Sequence, residues 1–237
     1  MKFTFGIITF DNQEERVASI IKDIKSHANE PEIIVVGGSN KYDDDVIHIA
    51  FDESVTPGWI TRKKNLVTER ATRENIVYMH DYYTIDSSWQ EGWEEFGNDW
   101  DVCMNVIKNH DGSRYRDWCA WDDPERCYFK YFFTGNPNDV GGHFACLVPY
   151  DYTKTNFMYV SGGYWVAKKR VMQEIPQDEN LLQSQSEDVD WSKRMRERCS
   201  YKMNTNVSVH VLKTDKDLIL PNVEQIEACM KFAKELL

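Results

Sequence analysis

The stretch Asn75–Asp86, NIVYMHDYYTID, decides the fold of this chain. It begins with the apolar, partly β-branched run Ile76–Met79, which is typical of a buried strand. The run stops abruptly at His80–Asp81. Because α/β proteins bind ligands just beyond the carboxyl ends of their strands, this histidine and carboxylate predict a ligand site.

Strand and helix patterns alternate before this stretch. Phe3–Phe10 and Glu32–Val36 are apolar runs that predict two strands. A helix is predicted between them, capped by Asp11 or Asn12, from four apolar residues at helical spacing: Val17, Ile20, Ile21 and Ile24. A strand–helix–strand unit this short requires parallel strands with a right-handed crossover.

The same patterns predict the remaining elements. Further strands are expected at Val46–Phe51, Asp101–Ile107 and Val207–Leu212, and in the segment Phe157–Lys168, where Gly162–Gly163 precedes an apolar strand-like run. Further helices are expected at Ile60–Thr72, Trp89–Phe96 and Pro221–Leu237, and in the segment Gln185–Arg198. Ser184 and Glu187 have the spacing of a capping box at the start of that last helix.

The segment Lys108–Thr155 differs in texture, because it is polar, aromatic and contains glycine and proline. It is too aromatic for a disordered linker and predicts a sub-region packed on the first half, with a β-hairpin as one option. Its rings serve either as ordinary core or as stacking surfaces for sugars. The length of 237 residues allows one large α/β domain or two small ones, and we expect a single domain with halves at 1–107 and 108–237.

Composition excludes some partners. The formal net charge of −11 argues against a nucleic-acid backbone, which requires concentrated Lys and Arg. The chain has no run of eighteen apolar residues that would predict a membrane span, and Met1–Phe10 lacks the features of a signal peptide, so we expect a cytoplasmic protein.

The cysteines lack CxxC spacing and predict reduced thiols. A zinc site is a weaker option, from Cys119, Cys127, His143 and Cys146.

The predicted helix at Ile60–Thr72 begins with three cations, Arg62, Lys63 and Lys64. Positive charges at a helix amino end oppose the helix dipole. This cluster therefore predicts either a nearby anion or a solvated basic face.

Acidic or imidazole groups recur at three element ends, namely His80–Asp81, Glu187–Asp188 and His210. Carboxylate plus imidazole suits a divalent cation such as Mn²⁺, which can bridge to a diphosphate. A separate carboxylate can serve as general base for an attacking hydroxyl. Taken singly, His210 also fits a structural strand histidine, and Glu187–Asp188 fits favourable partners of a helix dipole.

The order of these motifs resembles that of GT-A glycosyltransferases, particularly the family 2-like inverting enzymes. The resemblance covers Phe3–His210 and rests on six segments: GIITFDN (6–12), EIIVVGGSN (32–40), TRKKNLVTERATRENIVYMHDYYTID (61–86), YVSGGYWVAKKRVM (159–172), SEDVDWSKRM (186–195) and VSVH (207–210). It implies a Rossmann-like, mostly parallel sheet flanked by helices, with an aromatic-rich insertion on the acceptor side. Residues 1–107 would bind the nucleotide-sugar, and 108–237 would bind the acceptor and carry the terminal helix.

The resemblance also implies roles for single residues. Asp188 would be the general base, Glu187 would orient the acceptor hydroxyl, and Asp81 would ligate Mn²⁺ or Mg²⁺ with His210. Contacts to the nucleotide or its phosphates would come from Thr9, Asp11, Gly38, Ser39, Lys64, His80 and Asp81. Gly37–Gly38 stands where the family commonly has an acidic pair, which leaves the nucleotide, UDP or GDP, undecided.

The resulting hypothesis is a metal-assisted, inverting glycosyltransferase that moves a sugar from a nucleotide-sugar to a hydroxyl of a glycan or glycoconjugate. Two rivals remain. A sugar nucleotidyltransferase would need a Gly-rich basic loop after its first strand, where this chain has TFDNQEER (9–16). A non-catalytic carbohydrate-binding or scaffold protein is favoured by the incomplete Asp-x-Asp motif at His80–Tyr83. The donor sugar, the acceptor and the oligomeric state stay open.

Overall fold

A computed structural model describes residues 1–38, 42–121, 145–153, 155, 158–183 and 185–213 of the chain. Its helices are α1 Glu14–His27, α2 Ile60–Arg70, α3 Trp89–Phe96, α4 Lys169–Glu174 and α5 Glu187–Met195. Its strands are β1 Phe3–Ile8, β2 Glu32–Val36, β3 Val46–Ile49, β4 Asn75–His80, β5 Tyr83–Ile85, β6 Val102–Lys108, β7 Cys119–Trp121, β8 Ala145–Leu147, β9 Met158–Tyr159, β10 Tyr164–Lys168 and β11 Tyr201–Val211. None of the helices so described is long and apolar enough to cross a membrane.

Eight strands form the central sheet, in the order β3-β2-β1-β4-β10-β6-β11-β5. The pairings β1–β2, β1–β4, β2–β3 and β6–β11 are parallel, whereas β10 runs antiparallel to both β4 and β6. A smaller antiparallel sheet has the order β8-β7-β9. The predicted α/β class, with a largely parallel sheet and flanking helices, is confirmed.

Strand β1 lies between β2 and β4, and all six of its residues are buried. Helix α1 buries the predicted apolar face: Val17, Ile20, Ile21 and Ile24. The predicted cap at Asp11 or Asn12 was wrong, because the helix begins at Glu14 and Asn12 adopts a left-handed backbone with φ of 65°. Gln13 occupies the capping position without a side-chain hydrogen bond.

The strand expected after Gly162–Gly163 is present as β10, and a turn at these two glycines separates it from β9. The start of helix α5 differs from the expected one. Helix α5 begins at Glu187, so this residue is the first of the helix and not the third, as a capping box requires. Ser184 and the expected helix Pro221–Leu237 lie outside the described residues.

The cysteines that the structure describes as free thiols are Cys103, Cys119 and Cys199. Burial raises the pKa of the Cys103 and Cys119 thiols well above its usual value. Neutral thiols in apolar surroundings pack as small hydrophobic groups. The optional zinc site involves Cys127 and His143, which lie outside the described residues.

Three aromatic rings in contact connect helix α5 to the sheet. The Trp165 ring on β10 lies 4.4 Å from the Tyr78 ring on β4 and 4.3 Å from the Trp191 ring on α5, between centroids. Trp191 is fully buried, and its indole N–H donates to the Ile175 carbonyl at 2.6 Å. The amino end of α5 is thereby held beside the carboxyl end of β4.

We expect Trp191→Ala to lower the free energy of unfolding by about 3–5 kcal/mol, because it leaves a cavity beneath Trp165 and removes an indole hydrogen bond. Urea denaturation followed by tryptophan fluorescence and circular dichroism measures the change. The matched control is Leu212→Ala, which truncates a side chain that is 48% exposed and should shift stability by about 0.5 kcal/mol or less. Equal losses in both variants would contradict the anchoring role of Trp191.

Candidate active site

A cavity of about 430 Å³ opens where the end of β4 meets the start of β10 and the first turn of α5. Its walls combine tyrosines, small residues and charged groups. They are formed by Ile60, His80, Tyr82, Tyr83, Tyr115, Arg116, Tyr159, Ser161, Gly162, Gly163, Gln183, Ser186, Glu187 and Asp188. Polar groups that converge in a concave site of this size are typical of a small-molecule pocket.

The turn Gly162–Gly163 joins the three elements around this cavity. The Gly163 carbonyl accepts a hydrogen bond from the backbone N–H of His80 at 2.9 Å. The backbone N–H of Gly162 donates to Oδ2 of Asp188 at 3.1 Å. A Cβ on Gly162 would lie 2.9 Å from that oxygen, and one on Gly163 would lie 2.7 Å from the Tyr83 side chain. Both glycines are therefore required by close approach.

Asp188 is held in surroundings that favour its neutral form. Burial, followed by the negative charge of Glu187, raises the pKa of Asp188 to about 6. Lys64 and two backbone N–H groups oppose this rise. A carboxylate that is ionised at neutral pH and has a pKa near 6 is a stronger base than an ordinary aspartate.

Glu187 forms a buried pair with Lys64. Their Oε1 and Nζ atoms are 3.6 Å apart, and both side chains are less than a tenth exposed. Among the residues described, none accepts a hydrogen bond from the Lys64 ammonium. This group therefore has donors left for an anion at the cavity.

The two other cations at the start of α2 also meet carboxylates. Lys63 is fully buried, pairs with Glu53 and donates to the Thr9 carbonyl at 2.7 Å. Burial lowers the pKa of Lys63 below its usual value, and the bond to Glu53 opposes that shift. Arg62 pairs with two exposed or half-buried carboxylates, Glu69 and Glu179. The predicted anion near this helix start is therefore supplied, at least in part, by the protein.

His80 lines the cavity as a neutral imidazole. Burial, and then the positive charge of Lys64, holds the pKa of His80 well below its usual range. Its Nε2 is buried and has no hydrogen-bond partner within the part of the chain that is described. A neutral ring nitrogen of this kind can ligate a metal ion or bond to a polar ligand.

The expected nucleotide contacts gather at the carboxyl ends of β1, β2 and β4. Thr9 donates from its hydroxyl to Oδ2 of Asp81 at 2.8 Å and from its backbone N–H to the Val36 carbonyl at 3.0 Å. Gly38 adopts φ of 67° and has the Thr9 side chain 3.8 Å from its Cβ position. Asp11 is exposed, and Ser39 lies outside the described residues. This group adjoins the cavity through His80–Asp81, although Thr9, Gly38 and Asp81 do not form its described walls.

The two expected metal ligands, Asp81 and His210, form no ion pair with each other among the described residues. Asp81 is buried and engaged, because Thr9 bonds to one oxygen and Arg16 lies 3.3 Å from the other. His210 is opposite Thr84 in the β5–β11 pairing, so it lies on the face opposite to the cavity-lining Tyr83. The described residues contain no group of three His, Cys, Asp or Glu side chains that could hold a metal.

Several cavity residues carried no function in the sequence reasoning. Tyr82 and Tyr83 stood in the stretch that decides the fold, but only as residues replacing an acidic motif. Tyr115, Arg116 and Tyr159 are far apart in sequence from Asp188, and no local pattern marks them. Only the aromatic character of the segment after Lys108 indicated that rings would gather here.

Solved structures share this architecture. A chain of TarS from S. aureus, solved with UDP-GlcNAc, aligns with a TM-score of 0.59 and 13% identity over 100% of this chain. GalNAc-T7, solved with UDP, GalNAc and Mn²⁺, aligns with a TM-score of 0.61 and 9% identity over 88% of this chain. This chain covers 67% and 42% of those two chains, respectively, and 60% of TarS 1–349 in another structure. No protein-family model and no curated protein matches the sequence.

The protein therefore has the GT-A glycosyltransferase fold that the order of its motifs suggested. The neighbours with this fold are glycosyltransferases. At identities this low the likeness defines the fold, and the chemistry has to be argued from the residues of this chain.

The raised pKa of Asp188 predicts how stability depends on pH. The carboxyl group titrates near pH 6 when folded and near 3.8 when unfolded, so the folded protein binds the proton more tightly. The free energy of unfolding should therefore fall as pH rises from about 4 to about 6, by up to about 3 kcal/mol. Asp188→Asn should lose this slope in urea denaturation across that range. The control Asp190→Asn, whose carboxylate pairs with Arg194 outside the cavity walls, should keep it. An unchanged slope in Asp188→Asn would contradict the assignment.

Proposed function

We propose that this protein is a glycosyltransferase that moves a sugar from a nucleotide-sugar to a hydroxyl of a glycan or glycoconjugate, with inversion at the anomeric carbon. The observation that carries the proposal is the Asp188 carboxylate, fixed by Gly162 in a tyrosine-lined cavity and given a pKa of about 6. The GT-A fold supports the same reaction class.

Asp188 acts as the general base in this proposal. Its carboxylate accepts the proton of the acceptor hydroxyl while that oxygen forms a bond to the anomeric carbon. The bond between the anomeric carbon and the diphosphate oxygen breaks, and its electron pair leaves with the nucleoside diphosphate. Attack opposite the leaving group inverts the configuration. The hydrogen bond from Gly162 holds the base oxygen in one orientation.

Glu187 and Lys64 supply the charges on either side of this step. Glu187 orients the acceptor hydroxyl, and its charge keeps the pKa of Asp188 high. Lys64 contacts the donor phosphates through the ammonium protons that no described side chain accepts. A buried ammonium in a partly desolvated site stabilises the negative charge that develops on the diphosphate.

The nucleotide is proposed to lie at the ends of β1, β2 and β4, beside the cavity. Its contacts would come from Thr9, Asp11, Gly38, Ser39, Lys64, His80 and Asp81. Gly38 suits this role because a residue without Cβ allows close approach of a ligand to the backbone. Asp81 is already fixed by Thr9, so its remaining acceptor capacity can bond to a ribose hydroxyl or an amide of the base.

A divalent cation, Mn²⁺ or Mg²⁺, is included in the proposal, as the GalNAc-T7 structure contains UDP and Mn²⁺. The buried, unpartnered Nε2 of His80 fits a metal ligand, whereas Asp81 is engaged by Arg16 and His210 faces the other side of the sheet. The proposed ligands are therefore His80 and, once released by Arg16, Asp81. A bound cation would neutralise the departing diphosphate.

Replacement of Asp188 by Asn tests the base. We expect transfer to fall by about 10²- to 10⁴-fold, because the amide cannot accept the proton, while nucleotide binding changes little. The measurement is nucleotide release from a panel of UDP- and GDP-sugars in the presence of candidate acceptors. Asp190→Asn, on the same helix but outside the cavity walls, should keep wild-type turnover. Wild-type turnover in Asp188→Asn would remove this residue from the base role.

Calorimetric titration with UDP and GDP tests the nucleotide site and the cation together. We expect one of the two nucleotides to bind, about tenfold or more tightly with Mn²⁺, because the cation screens the diphosphate charge. His80→Gln should remove most of the Mn²⁺ dependence, whereas His210→Gln should not. If neither nucleotide binds, with or without Mn²⁺, the transferase proposal fails and a carbohydrate-binding protein with this fold is favoured.

A further inference from the structure

One cation in the cavity wall has no assigned task. Arg116 is exposed, lines the cavity beside Asp188 and has no carboxylate within ion-pair distance among the residues described. The other cations near the cavity have other contacts or roles, since Lys64 pairs with Glu187 and is proposed to meet the donor phosphates, and the Lys213 ammonium lies 3.7 Å from the centroid of the Tyr82 ring. A guanidinium without an ion-pair partner in the described part of the chain is notable at a net charge of −11, where carboxylates outnumber cations.

The neighbouring Arg114, in contrast to Arg116, has several contacts with other residues of the described part of the chain. Arg114 donates to Oδ1 of the buried Asp117 at 2.7 Å, and its guanidinium lies 4.0 Å from the centroid of the Tyr150 ring. It also donates to the Trp118 carbonyl at 3.3 Å. Arg114 is therefore a structural cation, while Arg116 is directed to the cavity.

The backbone that carries Arg116 is well anchored. On one side, the backbone N–H of Tyr115 donates to the Ile107 carbonyl of β6 at 2.7 Å. On the other side, Asp117 is fully buried and accepts hydrogen bonds from the backbone N–H of Ile107 and from the Tyr150 hydroxyl. A guanidinium on a fixed backbone loses less conformational freedom on binding than one on a loose loop.

We propose that Arg116 binds an anionic group of the acceptor, a phosphate or a carboxylate, so that the acceptor is a negatively charged sugar or polyol. This inference rests on the proposed function of the same cavity. The planar guanidinium matches the oxygens of carboxylates and phosphates in a bidentate geometry, which gives both affinity and orientation.

Position favours the acceptor over the donor as the source of this anion. Arg116 precedes β7 in the small sheet and lines the same cavity as Tyr159 of β9 and Asp188. The proposed nucleotide residues lie instead at the ends of β1, β2 and β4. An anion held at Arg116 shares the cavity with the general base, so a hydroxyl of the same molecule can be presented to Asp188.

The test is the variant Arg116→Gln, which removes the charge, and Arg170→Gln is the matched control. Arg170 is 61% exposed and pairs with Asp101 and Glu74 outside the cavity walls, so its replacement removes the same charge elsewhere. The probes are glycerol phosphate and glucuronate, each compared with its uncharged parent, glycerol or glucose. Binding to wild type, Arg116→Gln and Arg170→Gln is measured by calorimetry in the presence of a saturating concentration of UDP or GDP, whichever of the two binds.

Wild type and Arg170→Gln should bind at least one charged probe about tenfold or more tightly than its parent, and Arg116→Gln should lose that preference. The charged probe that is preferred distinguishes phosphate from carboxylate. The inference is overturned if wild type binds each charged probe no more tightly than its uncharged parent. It is also overturned if wild type binds neither member of either pair. It is also overturned if Arg116→Gln weakens UDP binding and leaves the preference intact, because the anion would then be the donor diphosphate.

Separate titrations with UDP and with GDP distinguish failure of this inference from failure of the proposed function. If neither nucleotide binds to wild type, the transferase proposal has failed, and the probe titrations are then compared on the protein alone. If wild type without nucleotide still prefers a charged probe and Arg116→Gln does not, the anion site is supported although the transfer reaction is not.

Discussion

The close approach of β10 to β4 and α5 is the constraint on which the site depends. Because β10 runs antiparallel to β4, its first residues lie beside the last residues of β4, where an α/β sheet binds ligands. The turn Gly162–Gly163 then contacts both His80 and Asp188 through backbone hydrogen bonds. No larger residue fits at these two positions, since each Cβ would meet a neighbouring side chain at less than 3.0 Å.

Buried charge is concentrated around this junction. Lys63, Lys64 and Asp81 are almost inaccessible, and each is paired with an oppositely charged side chain. Removing charges from water is costly, so such pairs contribute little net stability, and the loss of one partner would be strongly destabilising. Here the pairs fix the positions of these side chains, and Lys64 and Glu187 also change the pKa of Asp188. Burial and then the charge of Glu187 raise the pKa of Asp188, whereas Lys64 lowers it, and the balance leaves a base that is ionised at neutral pH.

Much of the framework could be predicted from local patterns. The run Ile76–Met79 and the apolar spacing of α1 are signals that lie within a few residues, and both elements form as expected. Boundaries were less predictable, because they depend on backbone conformations such as the left-handed Asn12. The break before β10 was indicated by the glycine pair, but its contact with Asp188 was not, since 26 residues separate the two partners of that hydrogen bond.

The candidate site shows the same division. Glu187, Asp188 and His80 were identified as polar groups at element ends, and the structure brings them to one cavity. His210 appeared equivalent to them in sequence, yet its register with Thr84 turns it to the opposite face. Tyr159 stood only as the first residue of the segment 159–172, and Arg116 only within the aromatic-rich segment after Lys108, because nothing in their immediate neighbours specifies what they face.

The sequence by itself determined the order of strands and helices, the apolar core faces and the placing of charged residues at strand and helix ends. These properties follow from periodicity, which acts over one or two turns of helix or a few residues of strand. The tertiary structure alone decided which face His210 occupies, how Asp81 is engaged by Thr9 and Arg16, and that Arg116 shares a cavity with Asp188. Those outcomes depend on strand register and on packing between segments distant in the chain, and a shift of one residue in register would reverse the side chains of a whole strand.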